Sequence, residues 1–165
     1  MDFLIRTAST ADQQFLREML YQSLYVPDGG EPFGREVLRR PEVARYVEGW
    51  GREGDLGFVA VDVSSGEPVA AVWLRLLAGE EKGYGFVDEE TPELGMAVLP
   101  EYRGRGVGTA LLERLLEEAR ASYKAVCLNV SEGNPARRLY ERAGFEPAGT
   151  DGGSVIMIRR FSPSD

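Results

Sequence analysis

Arg103-Gly104-Arg105-Gly106-Val107-Gly108-Thr109 is the stretch on which the reading of this chain turns. It follows Glu93-Leu94-Gly95-Met96-Ala97-Val98-Leu99, an apolar run that reads as a strand and stops at Pro100. Behind it, Val107, Ala110, Leu111, Leu112, Leu115, Leu116 and Ala119 recur on one helical face, with Glu113, Arg114, Glu117 and Arg120 on the other. Glycines in a strand-to-helix turn let the backbone approach a ligand closely. The first turn of a helix carries N–H groups that have no acceptor inside the helix, and its dipole favours a negative ligand. Residues 104–109 therefore predict a pocket for a phosphate or pyrophosphate. Arg103 and Arg105 can add charge-assisted hydrogen bonds. The turn is not a Walker loop, which needs Gly-Lys followed by Ser or Thr. A dinucleotide fingerprint would place glycine at 104, 106 and 109, and position 109 is Thr.

Outward from this turn, α and β patterns alternate. Residues 2–8 read as a first strand. Thr10 and Gln13 fit a capping box ahead of a helix carrying Phe15, Leu16, Met19, Leu20 and Leu24. A second helical stretch runs from 35 to 50 and is broken or restarted at Pro41. Residues 57–63 and 68–77 read as a hairpin around Ser64-Ser65-Gly66-Glu67. A polar, Gly-rich loop spans 78–92, of a length that is often functional. Then come a strand over 124–130, a helix from Asn134 to Ala143 stopped by Gly144, and strands over 145–148 and 154–160. The expectation is one α/β domain over 1–165 with a mixed sheet of six or seven strands.

Composition narrows the chemistry. The 165 residues contain no histidine, which removes Ser-His-Asp hydrolysis, His-bound zinc and histidine base catalysis. Proton transfer must use Asp, Glu, Tyr, Cys, Lys, backbone or water. The single cysteine, Cys127, gives neither an internal disulfide nor metal-site spacing, so no metal is expected. Mid-strand, it reads as a buried thiol rather than a covalent acyl carrier. A formal net charge of −8 counts against nucleic acid as a partner and is compatible with a cationic or neutral one. No run of eighteen apolar residues is present, and the opening MDFLIRTAST lacks a signal-peptide pattern. A cytoplasmic protein with no membrane partner is the expectation.

Two motifs carry a resemblance. Arg103-x-x-Gly106-x-Gly108, led in by Met96-Ala97-Val98-Leu99-Pro100-Glu101-Tyr102, resembles the acyl-CoA pyrophosphate loop of the GNAT superfamily of N-acetyltransferases. Asn134-Pro135-Ala136 through Leu139-Tyr140-Glu141 to Gly144-Phe145 resembles the later helix and strand of that family. The resemblance extends from about residue 57 to the end and is only architectural before that. It implies a mostly antiparallel sheet with one splayed parallel pair, about four flanking helices, and a bulge in the strand before the loop. It implies acetyl-CoA as the acyl donor and transfer of the acetyl group, in a ternary complex, to a primary amine of a small molecule or peptide. Homodimers are common in the family. A non-catalytic acyl-CoA-binding module on the same fold is the alternative.

By resemblance, backbone groups of Met96, Ala97 and Val98 would bond the pantetheine arm as a neighbouring strand would. The Val98 amide would face the thioester oxygen, where a donor lowers the barrier. Residues Gly104, Arg105, Gly106, Val107, Gly108 and Thr109 would wrap the pyrophosphate, with Arg103 beside them. Tyr140 would protonate the leaving thiolate, and Asn134 would contact the arm or cap its helix. Glu93 would be the base, directly or through water, or else a solvated strand end. Trp50, Tyr84 and Phe86 would line the acceptor side or pack in the core. Arg137 and Arg138 would meet the 3′-phosphate or remain solvated.

Overall fold

In the computed structural model, which describes residues 2–162, seven strands and four α-helices alternate. They are β1 Phe3–Thr7, α1 Gln13–Ser23, α2 Pro41–Ala44, β2 Leu56–Asp62, β3 Pro68–Arg75 and β4 Glu93–Val98, followed by α3 Val107–Ala119, β5 Ala125–Ser131, α4 Ala136–Arg142, β6 Glu146–Asp151 and β7 Ser154–Arg160. The strands form one sheet in the order β1-β2-β3-β4-β5-β7-β6. All neighbours are antiparallel except β4 and β5. Central strands covered on both faces need apolar residues at nearly every position, as Val69 to Leu74 in β3 provide.

Each face carries its own apolar layer. On one, Leu111, Leu112 and Leu115 of α3 lie over Phe58, Val72 and Leu74, and the layer continues to Tyr140 and Phe145 around α4. On the other, Leu16, Met19 and Leu20 of α1, with Val43 and Val47, cover Val59, Ala71, Trp73 and Ala97. Each such side chain contributes about 1.5–3 kcal/mol of transfer free energy when fully buried.

Local chemistry changed two expected boundaries. The first cap is Ser9, not Thr10. Ser9 Oγ accepts from Ala11 N–H at 3.3 Å, and Asp12 Oδ2 accepts from Ser9 N–H at 2.7 Å. Asp12 also pairs with Arg6 at 2.9 Å, a partner that Gln13 cannot match. Gln13 instead ties α1 to the following turn, donating to the Val47 carbonyl and accepting from Trp50 N–H. The stretch 35–50 divides at Pro41. A 3₁₀ turn over Arg35–Arg39 precedes it, and the proline opens α2 at a position that needs no N–H.

The parallel pair β4/β5 meets at one register position, Glu93 opposite Cys127, where Cys127 N–H donates to the Pro92 carbonyl at 3.0 Å. Beyond that point the strands part. No bulge in β4 is seen in its pairing with β3, which runs in unbroken register from Arg75↔Glu93 to Ala70↔Val98. Gly85, from the long loop, lies against the β5 backbone just past the last contact. A Cβ there would stand 2.8 Å from the Leu128 carbonyl carbon, so only glycine fits.

Candidate active site

The gap between β4 and β5 opens into a cleft of about 1260 Å³. The head of α3, the end of β5, α4 and the α1 side of the molecule all border it.

One end is formed by the glycine turn at the head of α3. Gly104 and Gly106 take the left-handed conformation, at φ 76° and 82°, with open space where a Cβ would stand. Gly106 caps α3, and Ala110 is the first N–H to reach back to the Gly106 carbonyl. The N–H groups of Val107, Gly108 and Thr109 thus have no acceptor within the helix and lie at the cleft wall. Arg103 Nε donates to the Val98 carbonyl at 3.0 Å, tying the turn to β4. The Arg105 guanidinium lies over the Tyr102 ring, 5.6 Å from its centroid. Neither arginine is ion-paired among the described residues.

Strand alternation decides which backbone groups face the gap. Leu99 N–H donates to the Val69 carbonyl, so Ala97 and Gly95 also direct their backbone groups at β3. Met96 and Val98 direct theirs the other way, toward the opening, as the Arg103 contact to the Val98 carbonyl confirms. Ala97 therefore borders the cleft by its side chain, with its amide facing the ladder.

The other end holds a buried carboxyl. Glu93 is 4% exposed rather than a solvated strand end. Its Oε2 accepts from the Tyr46 hydroxyl at 2.5 Å and its Oε1 from Gly85 N–H at 3.1 Å. Tyr46 Oη in turn accepts from Tyr84 N–H at 2.7 Å, and the two tyrosine rings stack 6.4 Å apart. Burial pushes the Glu93 carboxyl up to about 7, with the two hydrogen bonds pulling against it. Burial also raises the Tyr46 hydroxyl, with further elevation from Glu93.

Tyr140 lies at the α4 wall, 7% exposed, its ring edge-on to Phe145 at 5.8 Å. Burial alone pushes its hydroxyl up to about 12, and among the described residues that hydroxyl has no hydrogen-bond partner. Asn134 Oδ1 accepts from Ala136 N–H at 2.9 Å at the start of α4, so a capping role is present, and the residue also borders the cleft.

Three other readings from the sequence resolve here. Cys127 is fully buried with its thiol pushed up by burial and by Glu93, and its Sγ–H points to main-chain carbonyls of Thr91 and Pro92. It stays a protonated core thiol. Tyr84 borders the cleft, whereas Trp50 packs under Gly57 and the Arg75 guanidinium, and Phe86 meets Lys82. Arg137 is solvated and lies 3.9 Å from Glu141. Sequence reasoning missed Tyr46 and the partnership of Gly83 and Gly85 with Glu93. Only the two glycines in a polar loop hinted at close backbone approach.

A seven-stranded α/β sheet that opens at a parallel pair beside a glycine-turned helix head defines an acyltransferase-like class of fold. The sequence pattern of the Acetyltransferase (GNAT) family matches residues 17–145, and the chain belongs to that family. It is 28% identical over 137 residues to an uncharacterized N-acetyltransferase of Methanocaldococcus jannaschii, a match covering 78% of this chain and 57% of that protein. It is 38% identical over 58 residues to the ribosomal protein bS18 alanine N-acetyltransferase of Haemophilus influenzae, covering 34% and 40%. The matches thus span about half the length of these curated relatives or less. An N-acetyltransferase of Staphylococcus aureus Mu50 superposes with a TM-score of 0.68 at 19% identity, over 97% of this chain and 99% of the other. The PaiA N-acetyltransferase of Thermoplasma acidophilum, solved with coenzyme A, gives 0.65 at 20% identity over 98% and 100%. These likenesses are of fold. Among the described residues no helix is long and apolar enough to cross a membrane, and no group of three or more His, Cys, Asp or Glu is placed to hold a metal ion.

Proposed function

We propose that this protein transfers an acetyl group from acetyl-CoA to a primary amine of a small molecule or peptide, with both bound at once. The observation that carries the reading is one cleft bordered by a helix head with free N–H groups and by the buried carboxyl of Glu93, which desolvation pushes up to about 7. Family membership and the fold likenesses support acetyl-CoA as the donor.

In this reading the amides of Val107, Gly108 and Thr109, with Gly104, Arg105 and Gly106, hold the pyrophosphate, and Arg103 fixes the turn. Outward-facing backbone groups of Met96 and Val98 bond the pantetheine arm. Ala97 shapes the wall, and Asn134 orders the start of α4 beside it. Acetyl-CoA supplies the activated acetyl group. Glu93 takes a proton from the entering ammonium, directly or through water, so that the nitrogen lone pair can attack. As the N–C bond forms, the Val98 amide stabilises the developing oxyanion. As the C–S bond breaks, Tyr140 supplies a proton to the sulfur, and the second proton of the acylated nitrogen passes through water to the tyrosinate, restoring the hydroxyl. The Tyr140 hydroxyl is pushed above the usual thiol range.

Tyr140→Phe is the test. Turnover, read as free thiol released with a panel of amines, falls roughly 10²-fold or more, while calorimetric acetyl-CoA affinity stays within about threefold. Wild-type turnover in the variant removes Tyr140 from the chemistry. Acetyl-CoA binding by the wild-type protein with no thiol released for any amine leaves the non-catalytic binding module instead.

A further inference from the structure

One buried polar atom on the acceptor side has no partner. Trp73 is 1% exposed and borders the cleft, and its Nε1–H is the buried side-chain donor that goes unpaired among the described residues. It is brought there by register. Trp73 stands opposite Gly95 in the β3–β4 ladder, and the indole packs against Gly95. A Cβ at position 95 would be 2.5 Å from Nε1, so glycine is what allows the indole edge to reach β4. Indole N–H donates and never accepts. A ligand satisfying it must therefore offer an oxygen or another acceptor.

Glu93 and Gly95 are alternate residues of β4 and share this face, so their positions repeat about 7 Å apart along the strand. An amine nitrogen and the carbonyl oxygen on the next carbon lie about 3 Å apart, and a hydrogen bond of about 2.9 Å at each end bridges such a span. The sign of charge is also constrained. The buried cation on this face, Arg75, is already saturated by both oxygens of Asp55 and by the Arg45 and Glu48 carbonyls. A free carboxylate would therefore meet Glu93 with no available buried cation, whereas a neutral carbonyl meets no such penalty. Leu20, Val37 and Val43 also line this side, with Arg40 and Tyr84 at its exposed rim.

We propose that the Trp73 indole N–H donates to a neutral carbonyl oxygen next to the reacting amine, so that the acceptor is the α-amine of a peptide or an amino-acid amide. This rests on the acetyl-transfer reading above and names its substrate class. Trp73 is then a specificity-determining residue that positions the acceptor.

The test pairs amines that differ only in the carboxamide: leucinamide with isopentylamine, and phenylalaninamide with 2-phenylethylamine. Thiol release is measured at one pH for wild type and Trp73→Phe, so that differences in amine ionisation cancel in the comparison. The variant loses about five- to tenfold in kcat/KM for the amides and stays within about twofold for the simple amines. In ¹⁵N-labelled protein, with the indole signals of Trp50 and Trp73 assigned through Trp50→Phe, the Trp73 N–H signal moves downfield with leucinamide and not with isopentylamine. This second readout stands even if Trp73→Phe does not fold. Equal losses for both members of a pair, a preference that survives the substitution, acetylation of the simple amines alone, or an indole signal that ignores leucinamide overturns the proposal. No thiol from these four amines while other amines of the panel release it overturns this proposal alone; no thiol from any amine of the panel, despite acetyl-CoA binding, overturns the acetyl-transfer reading and this proposal with it.

Discussion

Glu93 illustrates how much one burial does. An exposed glutamate would be ionised at any physiological pH and a feeble base. Desolvation pushes this one up to about 7, while Tyr46 and Gly85 hold it from going further. A base must be unprotonated to act, so kcat/KM should rise with pH through about 7 and level off above it. Glu93→Gln should lower the plateau and erase that rise. A pH–rate profile between about 5.5 and 8.5 checks this, and an unchanged rise in the variant would remove Glu93 as the base. The residue type and its place at the strand start were legible in the sequence. Its burial was not, because Tyr46 and Gly85, which cover it, come from segments 47 and 8 residues away.

At the scale of elements, the turn between β4 and α3 was legible because its requirements are local. Glycines at 104 and 106 meet positive φ, and helix heads always leave amides free. Gly106→Val should therefore act on the pocket twice, by straining a left-handed position and by placing a branched side chain where the structure has open space. Acetyl-CoA affinity should fall at least about tenfold by calorimetry, with a melting temperature several degrees lower. Affinity equal to wild type would count against the anion pocket. The parting of β4 from β5 was less legible. The resemblance implied a splayed pair made by a bulge in β4. The strands do part, but the β3–β4 register is unbroken, and the loop carrying Gly85 packs where they separate. The first cap slipped by one residue because Asp12 gains Arg6 as a second partner, a contact from β1 that a local pattern cannot contain.

For the whole molecule, the two apolar layers share β3 and β4, so we propose that residues 1–165 unfold as one cooperative domain. Its stability should carry the signature of Glu93. In the folded state the carboxyl binds its proton more tightly than in the unfolded chain. That contribution is complete below pH 4.5 and is lost as pH rises to about 7, a change corresponding to about 3 kcal/mol. Urea unfolding at pH 4.5 and 7.5 should show wild type losing about that much relative to Glu93→Gln, and parallel curves would mean that Glu93 is not desolvated as described. The sequence by itself determined the alternation of strands and helices and the glycine turn between β4 and α3, and two motifs carried the resemblance to the family. The first two rest on periodicity and on backbone freedom within a few consecutive residues. Tertiary structure alone decided which β4 amides face the opening, how Tyr46 and the Gly83–Gly85 loop close over Glu93, and that the Trp73 indole lies unpartnered on Gly95. Register and long-range packing set those relations, and no stretch of sequence contains both partners.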